Sequence, residues 1–290
     1  MQIVYHLGAH GSDQGKLVRT LLRNREELWK QGIEIPAPSR YRGIFGEAIN
    51  SLNGGEATAE LQGVLRDLLI DNEHAERVIL TQSPFLGIPQ RAISSEGLYP
   101  RAPNRLPGLS NLFPDSVVEF HLAVVHPATQ VIALMTQNKG DYHGIINGAD
   151  PRRLRWAPSV RAMVASVPDR EFVVWAQEDL AFTWPEVMRR MAGVTPDMPL
   201  VGDDVVLAEL LSPEILHDLQ ANIDATPDLT IRARRNLVEQ ALSAAGTIAA
   251  MEGDVVLPGW TQELIDELSE IYAEDLDELA AISGVEFISA

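Results

Sequence analysis

Residues 4–28 read VYHLGAHGSDQGKLVRTLLRNREEL. Gly8, Gly11 and Gly15 punctuate a polar turn between an apolar run and a helical pattern. Amides at a glycine-rich turn, with the positive end of the following helix, bind phosphate or sulfate. Ser12, Gln14, Gly15 and Lys16 are the candidate anion ligands, and His10 and Lys16 the candidate catalytic groups. Asp13 is discordant: a carboxylate about 4 Å from a phosphate oxygen costs roughly 1–4 kcal/mol between bulk-water and surface-like dielectrics. The alternative to a cradle is a plain strand-to-helix turn on an inherited scaffold.

Other chemistries are easier to exclude. The Walker pattern fails at two fixed positions, with His10 in place of its first glycine and Leu17 in place of its magnesium-binding hydroxyl. Gly-x-Ser-x-Gly is absent, so no hydrolase of that design is expected. With no cysteine in the chain there are no disulfides, thiolate metal sites or thiol nucleophiles. His121, His126 and His143 fall at no recognised metal spacing, and no metal is expected. Arg91, Arg101 and Arg105 lie in a Pro-, Gly- and Ser-rich stretch, 87–114, expected as a long ordered loop. They either clamp an anion or are solvated. Arg152, Arg153 and Arg155 beside Trp156 are the densest basic cluster, and either bind an anion or start an exposed helix.

These residues need a scaffold. The β-rich apolar runs Ile3–Leu7, Val78–Thr81, Val117–Val125 and Phe172–Trp175 are short and nearly continuous. Strands buried on both faces of a parallel sheet look like this. Helical patterns alternate with them over 16–31, 58–72 and 178–192. Beyond about residue 205 the strand signal fades. Ser212-Pro213-Glu214 reads as an N-cap, an N1 proline and an acidic first turn. Helical patterns run over 229–250 and 261–282, then Gly284 as a C-cap and a brief strand over 285–288. The expectation is an α/β core over 1–205 with a helical, acidic portion over 206–290 packed on it.

The two ends of the chain carry a resemblance. Gly8-Ala9-His10, Asn24-Arg25-Glu26-Glu27-Leu28, Gly32-Ile33 and Pro36 lie near the start; Leu257-Pro258-Gly259-Trp260, Tyr272-Ala273-Glu274-Asp275-Leu276 and Gly284-Val285 lie near the end. In this order they resemble the bacterial sulfotransferase-like family. The resemblance implies a three-layer P-loop fold, a parallel sheet flanked by helices. It also implies transfer of a sulfuryl group from phosphoadenosine phosphosulfate (PAPS) to a hydroxyl or amine of a small-molecule or glycan acceptor. Ser12, Gln14, Gly15 and Lys16 would then hold the phosphosulfate, and Thr81 and His126 the 3′-phosphate side. The departures fall on the chemistry. The family's loop lysine aligns with Gly11 and its next glycine with Asp13. Its strand-end Ser-x-Glu aligns with Thr81-Gln82-Ser83, and the arginine expected near Pro127 is missing from Val125-His126-Pro127. Ala133 stands in place of a serine. The competing expectation is therefore a catalytically degenerate relative that binds a ligand or a protein through the same cleft.

Charge sharpens the partner classes. The chain carries a net −18, of which residues 201–290 contribute −16. Polyanions are repelled by such a tail, so no nucleic acid is expected. No apolar stretch approaches the roughly 20 residues of a membrane span, and no secretory leader is recognisable, so a cytoplasmic protein is expected.

Overall fold

A computed structural model of the chain describes residues 1–13, 15–82, 85–226, 229–246 and 256–290. The first apolar run forms strand β1 (Gln2–His6), and the glycine-rich turn leads into helix α1 (Lys16–Arg23). The single helix expected over 16–31 is broken into α1 and α2 (Arg25–Lys30). Asn24 is the cause. Its side-chain amide donates to Thr20 O and Val201 O, each at 2.9 Å, and its Oδ1 accepts from Val201 N at 2.7 Å. A two-residue strand, β2 (Ile33–Glu34), follows, then α3 (Pro38–Tyr41), α4 (Ile44–Ser51), α5 (Ala59–Leu69) and β3 (Arg77–Thr81).

The stretch 87–114 is not the loop its composition suggested. It holds a small hairpin, β4 (Ile93–Ser94) with β5 (Gly97–Leu98), and a helix, α6 (Ala102–Asn111). Pro103 and Pro107 disguise the helix, since proline removes an amide from the ladder. Buried Ala102, Leu106 and Leu109 hold it against the core regardless.

Strand β6 (Val117–Val124) leads to α7 (Pro127–Gln137), α8 (Tyr142–Ile146) and α9 (Trp156–Ser166). Strand β7 (Glu171–Ala176) leads to α10 (Leu180–Ala192) and α11 (Leu207–Leu210). Helices α12 (Pro213–Asp224), α13 (Ile231–Ala244) and α14 (Gln262–Ala280) precede β8 (Val285–Ile288). The last part of the pattern expected over 229–250 lies outside the described residues.

The sheet order is β2-β3-β1-β6-β7-β8, and every neighbouring pair is parallel. The architecture is a three-layer α/β fold of P-loop type, with strand, glycine-rich turn and helix at its centre. One face of the sheet packs Tyr5, Leu80, Phe120 and Phe172 against buried residues of α4 to α7, α9 and α14. The other packs Val4, Ile79, Val173 and Trp175 against Leu17 and Leu21 of α1 and Trp184, Met188 and Met191 of α10. A satellite cluster of Leu207, Leu211, Leu219, Val238 and Leu242 joins α11, α12 and α13 to Ala181 of α10. The C-terminal residues also enter the main body. β8 completes the sheet edge, and Asp275 on α14 is 1% exposed. Its carboxylate accepts from the amides of Trp156 and of Ala157 (3.1 Å) at the start of α9.

Among the described residues no helix is long and apolar enough to cross a membrane. Among the same residues, no group of three or more His, Asp or Glu is placed to hold a metal ion.

Candidate functional site

At the carboxyl ends of β1 and β3 the chain leaves a cleft of about 620 Å³. Gly11, Ser12, Asp13 and Gly15 line it from the turn, Thr81 and Gln82 from the end of β3, and Arg42 from beyond α3. An anion cradle would sit here, because β1 delivers the turn and α1 points its N-terminus back at it.

The turn is already filled. Asp13 is 9% exposed, and its carboxylate folds under the start of α1. Oδ1 accepts from the amide of Gly15 at 3.0 Å and Oδ2 from the amide of Leu17 at 2.7 Å. These are orphan donors of a helix start, the kind of group an anion would otherwise satisfy. Gly15 adopts φ +75°, a left-handed conformation that lets the turn close tightly around the carboxylate. The backbone agrees with this closure: the amides of Lys16 and Ser12 donate to Asp13 O (2.9 Å) and Ala9 O (3.1 Å).

Lys16 is turned away from the cleft. Its ammonium pairs with Glu209 of α11 at 2.5 Å. The position that the resemblance gives to a lysine, Gly11, has no room for a side chain. A Cβ there would lie 2.0 Å from the Cβ of Ala133 on α7, and φ at Gly11 is +84°. Thus the two positions where the resemblance places a lysine and a serine touch each other through their smallest substitutes.

His10 lies beneath the turn, 3% exposed. Its amide donates to the Tyr99 hydroxyl at 3.0 Å, and that hydroxyl donates to His10 Nδ1 at 2.8 Å. Gln130 Nε2 donates to His10 O (2.7 Å) and to the Tyr99 hydroxyl (3.3 Å). The hydroxyl therefore accepts twice and donates once. Burial pushes the His10 pKa down to about 4. A neutral imidazole with Nδ1 accepting carries its proton on Nε2, so neither nitrogen offers a free lone pair for general-base work.

Thr81 does line the cleft, but its hydroxyl shares a 2.9 Å hydrogen bond with His6 Nδ1. Its backbone amide and carbonyl are both held by the Tyr41 hydroxyl, at 2.8 and 3.0 Å. His126 stands elsewhere, at the N-cap of α7, where Nδ1 accepts from Ala128 N at 3.2 Å. Its Nε2 meets Ser269 Oγ of α14 at 3.2 Å. Its amide donates to Glu178 Oε1 at 2.7 Å, while the Tyr272 hydroxyl donates to Glu178 Oε2 at 2.9 Å. Burial lowers the His126 pKa and raises that of Glu178. His126 is thus a joint between α7 and α14. Gln14 lies outside the described residues.

So Ser12, Gly15 and Thr81 come together at the cleft, with His10 packed behind it and Lys16 and His126 directed elsewhere. Two members of the basic cluster are also engaged: Arg152 pairs with Glu267 at 2.7 Å and Arg155 with Glu278 at 2.6 Å, both on α14. Tyr99, Gln130 and Tyr41 hold this site, and no local pattern pointed to them. Tyr99 lies 89 positions from His10, within the proline-disguised stretch.

No protein-family model matches the chain, and no curated protein matches it. Among solved structures, the chain is similar to the crystal structure of a sulfotransferase from Alicyclobacillus acidocaldarius. The identity is 14%, with 84% of this chain and 98% of that one covered, at a TM-score of 0.42.

The residues present do not fit the phosphosulfate of PAPS. Its anion would need the amides of Gly15 and Leu17, which the Asp13 carboxylate occupies; of the cations nearby, Lys16 pairs with Glu209 and Arg42 lines the cleft.

Proposed function

We propose that this chain is a binding protein on a sulfotransferase-like scaffold, without sulfuryl-transfer activity, whose phosphate turn is capped by its own carboxylate. The observation that carries this reading is Asp13 accepting from both Gly15 N and Leu17 N. An incoming phosphosulfate would have to displace that carboxylate or sit against it, and like charges in contact are costly in a partly buried site. The cleft itself, at about 620 Å³, has the size of a small-molecule pocket. With Asp13, Arg42, Thr81 and Gln82 all on its lining, a polar ligand that both donates and accepts suits it better than a phosphosulfate. Titration calorimetry with adenosine 3′,5′-bisphosphate tests the reading. The expected result is no heat that Lys16→Ala abolishes, together with no sulfuryl transfer from PAPS to phenolic or glycan acceptors. Micromolar binding lost in Lys16→Ala, or turnover of PAPS, would overturn it.

A further inference from the structure

A second cleft borders the segment that leaves β3 toward the β4–β5 hairpin. It encloses about 450 Å³ and is lined by Leu86, Ile88, Arg91, Arg101, Asn104 and Arg105. No carboxylate is among these lining residues. Arg101 sits at the N-cap of α6, and Asn104 and Arg105 lie in its first turn. Arg91 ends the short 3₁₀ turn Pro89–Arg91.

Much of this framework is fixed. Arg105 Nε donates to Phe85 O at 2.8 Å, which holds the guanidinium at the cleft, and burial lowers its pKa. The 3₁₀ turn is tied down by Gln90 Nε2 donating to Asn138 Oδ1 at 2.5 Å and by Asn147 Nδ2 donating to Gln90 O at 3.4 Å. Arg91 and Arg101 make no side-chain hydrogen bond or ion pair with any described residue.

That arrangement runs against the chain as a whole, in which 41 acidic residues face 23 basic ones. Several arginines elsewhere find carboxylates: Arg40 with Asp71 at 2.6 Å, Arg152 with Glu267 at 2.7 Å, Arg189 with Asp203 at 2.7 Å. Three guanidinium groups around one concavity repel one another, and a bound anion relieves that repulsion. Planar guanidinium forks match phosphate, sulfate and carboxylate in a two-point geometry. Leu86 and Ile88 add an apolar wall; Ile88 is 49% exposed, which leaves it free to cover a ligand's carbon skeleton.

We propose that this cleft binds a small organic anion with two acidic groups on a short apolar body. The site is separate from the capped turn, so it stands whether or not the reading above does. Inorganic pyrophosphate is the probe, followed by calorimetry at low salt, with inorganic phosphate as the single-group comparison. Pyrophosphate should bind more tightly than phosphate. One charge-assisted hydrogen bond corresponds to roughly tenfold or more in affinity, so Arg101→Ala and Arg91→Ala should each weaken pyrophosphate binding at least about tenfold. Both side chains are exposed and unbonded to any described residue, so both variants should keep the wild-type urea midpoint. Arg232→Ala, an exposed arginine on α13, and Lys16→Ala should leave binding unchanged. Absence of heat at millimolar pyrophosphate overturns the proposal. So does binding that survives Arg91→Ala/Arg101→Ala, or binding lost in Lys16→Ala instead; the last would overturn the self-capping reading as well.

Discussion

Removing the Asp13 carboxylate tests whether it acts as an internal substitute for a bound anion. In Asp13→Ala the amides of Gly15 and Leu17 lose acceptors at 3.0 and 2.7 Å. Loss of a helix cap costs about 0.5–2 kcal/mol. A buried, unsatisfied amide costs about 1–3 kcal/mol more, although water entering the adjoining cleft moderates this. The favourable meeting of a carboxylate with a helix N-terminus adds about 0.3–1 kcal/mol. These contributions overlap and water moderates the second, so the expected loss is about 2–3 kcal/mol, read as a lower urea midpoint at unchanged slope. If the carboxylate were a strained intruder, its removal would be neutral or stabilising. The second half of the test is rescue. The vacated amides should accept sulfate, which stabilises by about 2.7 kcal/mol at a hundredfold excess over its dissociation constant. Sulfate also favours folded states generally, so the relevant quantity is the gain over the parent chain. Both proteins should carry Arg91→Ala/Arg101→Ala to silence the second cleft. An Asp13→Ala midpoint within about 0.5 kcal/mol of the parent, or equal sulfate gains in both, would refute the self-capping argument.

Lys16→Ala should cost less than about 1 kcal/mol in urea titration, because its partner Glu209 is 60% exposed and surface pairs contribute little; a larger loss would mean that Lys16 has a second role. His10→Asn keeps an acceptor for the Tyr99 hydroxyl but removes a titrating group. Burial holds the His10 pKa at about 4, below its unfolded value of about 6.5, so its contribution is present above pH 6.5 and lost as pH falls toward 4. Near pH 5 the variant's stability should therefore fall about 1 kcal/mol less per pH unit than the parent's, and identical slopes would sink the assignment. Asp275→Ala strips the buried acceptor of Trp156 N and Ala157 N and the partner of Arg155 at 3.2 Å. A loss of about 3–5 kcal/mol is expected, with α14 released early in hydrogen exchange; unchanged protection of α14 would contradict the docking role.

The sequence by itself determined the four central strands of the sheet. Strands β1, β3, β6 and β7 are buried on both faces, which forces nearly continuous apolar runs that survive as local patterns. Helix starts such as Ser212, whose side chain accepts from Ile215 N at 3.4 Å, were legible for the same local reason. So was the conflict at Asp13, since a carboxylate in a phosphate turn is discordant wherever it points. The tertiary structure decided how that conflict resolves, because one rotation of the side chain separates repelling an anion from replacing one. It also decided that Lys16 faces Glu209, 193 positions away, and that Gly11 rests on Ala133. Helix α6 escaped local reading because its prolines outweigh its stripe until the core supplies the missing energy. Periodicity records which face a residue turns to the core. Which distant side chain completes a hydrogen bond or blocks a pocket is set by how the layers are stacked, and nearby residues carry no record of it.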